Sequence, residues 1–173
     1  MIRRARIDDV AALAALQERA LWAAYGGYVD HDRIAAVIPG LALSWRVGLA
    51  EAHVRGRETY VLERDGAIAG WVTVGRPRDP DAREGDGELY ALYVDPERIG
   101  TGDGRVLEEH GVARLRALGY RAATLWVLAP NDRARRFYAR RGWEPDDRPG
   151  ENPYASWAPA IRLRKVLAGY EEE

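Results

Sequence analysis

Three glycines occupy alternate positions in the segment Gly100-Thr101-Gly102-Asp103-Gly104, and a run of good helix formers follows from 105 to 118. The first N–H groups of a helix have no partner inside the helix, and the helix dipole adds roughly half a positive charge at that end. Main-chain amides that converge at a helix start therefore bind anions, and phosphate is a typical ligand. The pattern predicts a phosphate-binding loop.

Two common nucleotide-binding patterns are not met by this loop. A dinucleotide-binding loop has the order G-x-G-x-x-G, whereas this loop reads G-x-G-x-G and continues with Arg105, Val106 and Leu107. A Walker A loop requires G-K-S/T, and the one lysine of the chain is Lys165. Binding of ATP or NAD is therefore a remote alternative.

A buried strand is predicted directly before the loop. Residues 88–94 are mostly aromatic or aliphatic, and Asp95-Pro96 ends the run. The segment VDPERIGTGDGRVL, from the end of this strand into the helix, resembles part of the coenzyme A-binding core of the Gcn5-related N-acetyltransferases (GNAT). In that family a strand ending in V-x-P leads into a glycine loop that opens with Arg or Gln. Here Ile99 stands at the opening position, and Arg98 comes one place earlier.

A second segment, NDRARRFYARRGW, resembles the opposite wall of the same core. The family pattern N-x-x-A-x-x-F-Y-x-x-x-G-F/W is met at Asn131, Ala134, Phe137, Tyr138, Gly142 and Trp143. Asn131 and Tyr138 are separated by two helical turns, so they share one face of a helix. Two motifs in the family's order and at a family-like separation indicate a Gcn5-related N-acetyltransferase.

The resemblance implies where the acyl donor, acetyl-coenzyme A, binds. Its pantetheine arm is expected to bond to the main chain of Leu92, Tyr93 and Val94, and to lie against Asn131 and Tyr138. Its pyrophosphate is expected on the amides of the glycine loop and helix start, which are those of Gly100, Thr101, Gly102, Asp103, Gly104 and Arg105.

Two side chains are candidates for acid and base. Acetyl transfer from a thioester to an amine needs a neutral amine and a proton for the departing thiolate. By resemblance, Tyr138 donates that proton and Glu88, at the start of the strand, accepts the proton of the amine. The alternatives are that Tyr138 only packs in the core, and that Glu88 is a solvated end of the preceding loop while waters act as base. Other family members carry a glutamate on the fifth strand, where this chain has Trp126.

The resemblance predicts an enzyme that transfers acetyl from acetyl-coenzyme A to a primary amine by direct attack in a ternary complex. The chain has no cysteine, so no thiol is available for an acetyl-enzyme. The alternative is a non-catalytic module that binds or senses coenzyme A. Small amines, polyamines, antibiotics and protein N-termini all remain open as acceptors, and the resemblance allows a homodimer. Trp22, Tyr25 and Tyr28 could wall the acceptor pocket or merely pack.

The composition is that of an ordinary globular protein, with 47% apolar and 31% charged residues and a formal net charge of -1. This charge provides no general attraction to nucleic acid or anionic lipid. The absence of cysteine fits a reducing compartment, no apolar run approaches the length of a membrane span, and the N-terminus lacks a signal-peptide core. We expect a cytoplasmic protein with no nucleic-acid or membrane partner.

Metal and hydrolase chemistry are not predicted. The three histidines, His31, His53 and His110, are scattered without metal-site spacing. The two serines, Ser44 and Ser156, lie in no G-x-S-x-G segment. We therefore expect neither a metal cofactor nor a serine hydrolase triad.

The order of the predicted elements gives one α/β domain over residues 1–173. Its sheet is mixed, mostly antiparallel, with six or seven strands, and about four helices flank it. Strands are predicted at 2–7, 59–63, 67–74, 88–94, 122–128, 143–145 and 161–167, and helices at 10–25, 30–52 in one or two pieces, 105–118 and 131–142. By resemblance, the strands at 88–94 and 122–128 splay apart to admit the coenzyme.

Local signals mark several boundaries. Asp8 or Asp9 is expected to cap the first helix, Pro39-Gly40 to break the second, and Asp65-Gly66 to form a hairpin turn. The loop 75–87 contains four acids and is expected to be solvated, or to guide a cationic amine. A loop at 146–159 and a frayed tail, GYEEE, complete the chain.

Overall fold

A seven-stranded sheet is the frame of the molecule, which a computed structural model describes over residues 1–147 and 159–167. Its strand order is β1-β2-β3-β4-β5-β7-β6, and neighbours are antiparallel except for β4 and β5. The strands are β1 Ile2–Arg4, β2 Arg57–Arg64, β3 Ala67–Gly75, β4 Asp86–Val94, β5 Ala122–Leu128, β6 Glu144–Pro145 and β7 Ala160–Val166. The predicted mixed, mostly antiparallel sheet is confirmed.

The helices flank this sheet. They are α1 Val10–Tyr25, α2 His31–Val37, α3 Leu41–Ala50, α4 Asp103–Ala117 and α5 Asp132–Arg140. A 3-10 turn at Ile38–Gly40 joins α2 to α3, at the predicted break, so that they form one bent helical stretch. With α1, α4 and α5 this stretch makes up the four predicted helical units. Most of the predicted loop at 146–159 and the tail GYEEE lie outside the described residues.

The stretch His31–Ala50 is more apolar than the sequence pattern suggested. Within the described residues it alone is long and apolar enough to cross a membrane, with 20 residues and a mean hydropathy of 1.3 over its most apolar window. Only 11% of that window is buried. One such helix is weak evidence for a membrane span, because the core helix of a soluble protein or a signal sequence can have the same length and composition.

Hydrophobic side chains cover both faces of the sheet because they alternate along its strands. Val72 and Val74 of β3 face α4, where they pack with Leu107 and Leu115. Trp71, which directly precedes Val72, faces the opposite side, where α1 and α3 pack. One face of the sheet therefore carries α4, and the other carries the N-terminal helices.

The hairpin between β2 and β3 has the turn that its sequence predicts. Asp65 and Gly66 both have positive φ, 52° and 78°, which is typical of a type I′ turn. Arg64 pairs with Ala67 on either side of it. Because this turn is short and its twist matches that of the strands, it fixes the register of β2 against β3.

The strands β4 and β5 are paired over only three residue pairs, which are Asp86↔Ala122, Gly87↔Ala123 and Glu88↔Thr124. Beyond these pairs both strands continue without bonding to each other. The predicted splay is therefore confirmed, and it opens a gap in the middle of the sheet.

The acidic loop between β3 and β4 is not simply solvated, as the sequence had suggested. Asp79 and Asp81 accept hydrogen bonds from Arg162 of β7 at 3.2 and 2.7 Å, and Asp146 lies 2.7 Å from the same guanidinium. The Arg162 side chain is 2% exposed, and the bond to Asp81 is the main cause that raises its pKa. Asp86 pairs likewise with Arg164. These acids anchor the loop to the sheet. Neither prediction for them, exposure to solvent or electrostatic guidance of a cationic amine, describes their role in the structure.

The predicted helix cap at Asp9 is also different in the structure. Asp9 precedes α1, but its carboxylate makes no cap bond to that helix. It accepts instead from the Arg3 guanidinium at 2.8 Å and from the Arg6 N–H at 2.7 Å. The Arg3 hydrogen bonds hold the pKa of Asp9 below its ordinary value. The carboxylate thus ties β1 to the start of α1.

A buried carboxylate joins α4 to the C-terminal half of the sheet. Glu108 has no exposed surface. It accepts from Trp143 Nε1 and Lys165 Nζ at 2.9 Å each, and from the Arg141 guanidinium at 2.9 and 3.0 Å. Burial alone would raise its pKa, but the hydrogen bonds from Lys165, Trp143 and Arg141 outweigh burial and lower it. This network holds the end of α5 against α4.

We expect Glu108→Gln to lower the free energy of unfolding by about 2 kcal/mol, because it leaves cations without their buried partner. Urea denaturation near neutral pH measures the change. Glu109→Gln is the matched control, since its side chain is 47% exposed and surface substitutions usually change stability by less than about 0.5 kcal/mol. Equal losses in the two variants would contradict the role of Glu108.

The effect of Glu108→Gln should also depend on pH. Because the folded-state pKa of Glu108 lies below the ordinary value of 4.5, its charge stabilises the fold fully above that pH. The stabilisation is lost as the pH falls through the lower, folded-state pKa. The difference in stability between wild type and variant should therefore shrink below pH 4.5, as urea titrations at several pH values would show.

Candidate active site

A cavity of about 1110 Å³ opens where β4 and β5 diverge. Its walls come from α1, α3, the strands β2 to β5, the glycine loop and α5. A volume of this size exceeds most sites for small ligands, which occupy about 300 to 1,000 Å³. The cavity can therefore hold a long cofactor together with a second reactant.

The glycine loop forms one end of this cavity. Gly100 and Gly102 have φ of 89° and 93°, which residues with a side chain rarely adopt. A Cβ atom added at either position would meet nothing within 4 Å, so these glycines are required by backbone conformation and not by space. Val106 N bonds to Gly102 O at 3.2 Å, and the amides before it lie at the open start of α4. This is the geometry of an anion site.

Four of the six predicted loop residues line the cavity, namely Gly100, Gly102, Gly104 and Arg105. Thr101 and Asp103 are turned away from it. The N–H and hydroxyl of Thr101 both donate to Arg98 O, at 3.2 and 2.8 Å. Asp103 is buried, with 3% of its surface exposed. Its carboxylate accepts hydrogen bonds from the Arg98 and Arg64 guanidinium groups at 2.7 and 2.9 Å. Burial raises the pKa of Asp103, but these two arginines lower it overall.

The predicted residues of β4 lie along the opening. Leu92, Tyr93 and Val94 all line the cavity. The Tyr93 hydroxyl is 2.7 Å from that of Tyr25 on α1, and its ring stacks on Trp71 at 4.9 Å. Tyr25 lines the cavity as well. Trp22 packs with the N-terminal helices instead, and neither it nor Tyr28 is among the lining residues.

The predicted residues of α5 form the opposite wall. Asn131 caps this helix, since its side-chain oxygen accepts from Ala134 N at 3.1 Å. Tyr138 lies two turns later, is 8% exposed, and contacts Phe137 and Trp143 at ring distances of 5.1 and 6.0 Å. Both Asn131 and Tyr138 line the cavity. The structure thus places the phenol in an apolar wall across from β4.

Glu88, the predicted base, does not line the cavity. It is fully buried at the point where β4 and β5 stop pairing. Its carboxylate accepts from Arg78 N at 2.8 Å, Arg78 Nε at 2.9 Å and Arg78 Nη2 at 2.5 Å. The resemblance did not signal this ion pair, because Arg78 lies in the irregular loop after β3.

Sequence reasoning missed a group of residues on the far side of Glu88. Tyr90 occupies a bulge in β4, since Leu89 and Ala91 pair with β3 while Tyr90 does not. The Arg57 and Arg78 guanidinium groups lie 4.4 and 4.7 Å from its ring centroid, and all three residues line the cavity. Burial raises the pKa of Tyr90, as does the charge of Glu88, while the two arginines oppose them. No sequence motif marks a bulge, so this group could not be predicted from the sequence.

The end of the cavity near α5 is strongly positive. Arg133, Arg136 and Arg140 of this helix line it, and none of the three makes an ion pair within residues 1–147 and 159–167. Unpaired guanidinium groups beside a helix start favour a ligand with several phosphates. In the same described part of the chain, no cluster of His, Asp and Glu is placed to hold a metal ion.

Comparison with known proteins identifies a family for this arrangement. The model of a family described as "Acetyltransferase (GNAT) family" matches residues 15–143, well over half of the chain. Among curated proteins, the chain is similar to the mycothiol acetyltransferase of Geodermatophilus obscurus, with 41% identity over 73 residues. That match covers 42% of this chain and 23% of the relative, so the chain matches about a quarter of the relative's length.

Solved structures have the same fold. The PaiA N-acetyltransferase of Thermoplasma acidophilum, in complex with coenzyme A, aligns with a TM-score of 0.80 and 16% identity over 96% of this chain and 98% of that chain. The protein yncA of Salmonella typhimurium, with its cofactor acetyl-CoA, aligns with a TM-score of 0.68 and 21% identity over 100% and 96% of the two chains. At these identities the likeness establishes the fold alone.

The glycine loop can be tested with two matched variants. Gly102→Ala and Gly119→Ala each place a side chain at positive φ in open space, one at the start of α4 and one after its end. Both should lower the free energy of unfolding by about 1 kcal/mol. Only Gly102→Ala should also weaken coenzyme A binding in calorimetry, because it turns the loop amides away from the cavity. Unchanged affinity in Gly102→Ala would show that the loop does not bind the coenzyme.

Proposed function

This chain belongs to the acetyltransferase (GNAT) family, and on that premise we propose that it transfers acetyl from acetyl-coenzyme A to a primary amine in a ternary complex. The single observation that carries the proposal is the convergence on one cavity of the gap beside β4, the glycine loop and the Tyr138 phenol. Their spacing along the chain is family-like, and the fold joins them.

The residues of the cavity fit acetyl-coenzyme A. The amides at the start of α4 and the guanidinium groups of Arg133, Arg136 and Arg140 would hold its phosphates. The edge of β4 from Leu92 to Val94 would bond to the pantetheine arm as an added strand does. When bound, acetyl-coenzyme A supplies a thioester, which is an activated acyl group. Its long shape also matches a cavity that runs from the glycine loop to α3.

Direct transfer balances without a covalent enzyme intermediate. The amine nitrogen forms a bond to the acetyl carbon, the bond from that carbon to sulfur breaks, and the amine loses one proton. The thiolate takes up a proton from Tyr138, which the solvent later restores. With no cysteine in the chain, no thiol can carry the acetyl group.

The identity of the base rests on the surroundings of Glu88. Three donors of Arg78 already occupy its oxygens, and its side chain is shielded from the cavity. Direct proton transfer from an amine would require Arg78 to move. These contacts support waters as the proton acceptor, with Glu88 positioning Arg78, over Glu88 itself as the base.

A second candidate is a module of the same fold that binds coenzyme A without turnover. Two observations favour it: Ile99 replaces the Arg or Gln that opens the family's loop, and the Glu88 carboxylate is occupied. A screen that measures thiol release from acetyl-coenzyme A against a panel of primary amines separates the two. Release that depends on an amine supports the enzyme, whereas tight binding with no release on any amine supports the module.

Tyr138→Phe should lower turnover by about 10-fold to 100-fold, since general acids typically contribute 10² to 10⁴ and water can partly replace the phenol. Coenzyme A affinity, measured by calorimetry, should change little because the ring remains. Tyr120→Phe removes a hydroxyl outside the cavity and serves as control. If Tyr138→Phe turns over at the wild-type rate, Tyr138 is not the acid.

Glu88→Gln separates the two roles of that residue. If waters act as base, the variant should keep the wild-type shape of the pH profile of kcat/KM, with a lower value at every pH because Arg78 is displaced. If Glu88 is the base, the basic limb of the profile should move or vanish. Thiol-release rates between pH 6 and 9 make the distinction.

A further inference from the structure

The cavity has two chemically different ends. One end, at the glycine loop and α5, would hold the coenzyme under the proposed function. The other lies between α3 and the strands β2 and β3, and it is lined by Ser44, Trp45, Gly48, Arg57, Thr59 and Thr73. The second reactant must therefore be recognised by this second end, which we call the acceptor end.

Two donors at the acceptor end have no acceptor within residues 1–147 and 159–167. Trp45 Nε1 and Arg57 Nε are both buried, and neither has a hydrogen-bond partner in that part of the chain. Buried polar groups are rarely left without partners, and each such group needs an explanation. The hydroxyls of Thr59 and Thr73 bond to each other at 3.0 Å, so one of their two protons remains to be donated. A ligand rich in acceptor oxygens would satisfy all of these groups.

The charge at the acceptor end is also unbalanced. Among the described residues, the cavity lining includes arginines but neither Asp nor Glu. Arg78 is neutralised by Glu88 behind the wall, whereas Arg57 makes no ion pair with a carboxylate in the described part of the chain. The ring of Tyr90, 4.4 Å from the Arg57 guanidinium, supports that group from one side. Arg57 is thus a positioned cation without a counter-ion among the described residues.

We propose that the acceptor amine carries a small oxyanion, a carboxylate or a phosphate, which binds to Arg57 at the acceptor end. The inference rests on the proposed function and names its substrate class. A guanidinium suits such groups because its planar fork bonds two oxygens at once. The sequence leaves polyamines and antibiotics open as acceptors, but a polycationic acceptor of either kind would meet only positive charge here. The oxyanion would leave the amine directed along β4, toward the gap and Tyr138.

The test compares two pairs of amines, and the members of each pair differ only in an anionic group. The pairs are L-alanine with L-alaninamide, and phosphoethanolamine with ethanolamine. In the wild type, the anionic member of at least one pair should have a kcat/KM about tenfold higher or more, since hydrogen bonds to charged groups contribute about 1.5–3 kcal/mol. The pair that shows the preference tells carboxylate from phosphate. Equal rates within both pairs, or faster neutral members, would overturn the inference.

Variants assign the preference to one residue. Arg57→Gln should reduce the preference to near one while leaving coenzyme A affinity unchanged, and Arg57→Lys should keep part of it through charge. Arg55→Gln is the matched control, because Arg55 is two residues away, pairs with Glu51 and does not line the cavity. A preference that survives in Arg57→Gln would overturn the assignment.

Binding measurements keep the inference separate from the function on which it rests. Trp45, Trp71 and Trp126 line the cavity, so their fluorescence should report on titration with each of the four amines. If coenzyme A fails to bind the wild type in calorimetry, the proposed function fails. The fluorescence titrations still decide the inference in that case: tighter binding of an anionic amine than of its neutral partner supports it, and equal binding refutes it.

Discussion

The structure depends on a gap in its own sheet. Buried main-chain N–H and C=O groups must be paired, and two central strands that separate after three residue pairs leave such groups facing a cavity. Each strand remains held from its outer side, since β3 pairs with β4 as far as Val94 and β7 pairs with β5 as far as Leu128. The sheet can therefore open at its centre without unravelling, and the open edges become binding groups.

Buried ion pairs fix the walls around this gap. Arg162 on β7 holds the loop after β3 through Asp79, and Asp79 in turn accepts from the indole of Trp126 at 3.1 Å. The Glu88 carboxylate binds the guanidinium of Arg78, which is the first residue of that loop to line the cavity. Buried charges of this kind are costly unless they are fully partnered. Because each partner lies on a different element, the pairs determine where the walls stand more than they add to net stability.

The departure from the family pattern at Ile99 has a structural counterpart. Arg98 lines the cavity beside the loop, and Asp103 at the start of α4 bonds to its guanidinium at 2.7 Å. Asp103 also bonds to Arg64 on β2, so its negative charge is shared between two cations and is directed away from the loop amides. The anion site therefore keeps its positive character although a carboxylate stands at the first residue of the helix.

The sequence by itself determined the parts of this protein that neighbouring residues control. Asp65-Gly66 specifies a turn with two positive φ angles, Gly100 and Gly102 specify a loop conformation that other residues rarely adopt, and the spacing of Asn131 and Tyr138 places both on one face of α5. These signals depend on backbone conformation and helical period, which act within a few residues. They were enough to predict the sheet and the order of the elements, and the family resemblance added the parts of β4, the glycine loop and α5 that line the cavity.

Only the tertiary structure decided which charges meet. Arg162 and Asp81 are 81 residues apart, and the ion pair of Glu88 with Arg78 crosses an irregular loop, so no local pattern announces either contact. The same holds for Thr101 and Asp103, which belong to the predicted loop but point away from the cavity because Arg98 and Arg64 lie behind it. Arg57 and Tyr90 come together across a bulge. The chemistry of these residues depends on charged and hydrogen-bonding partners that come together only when the chain folds.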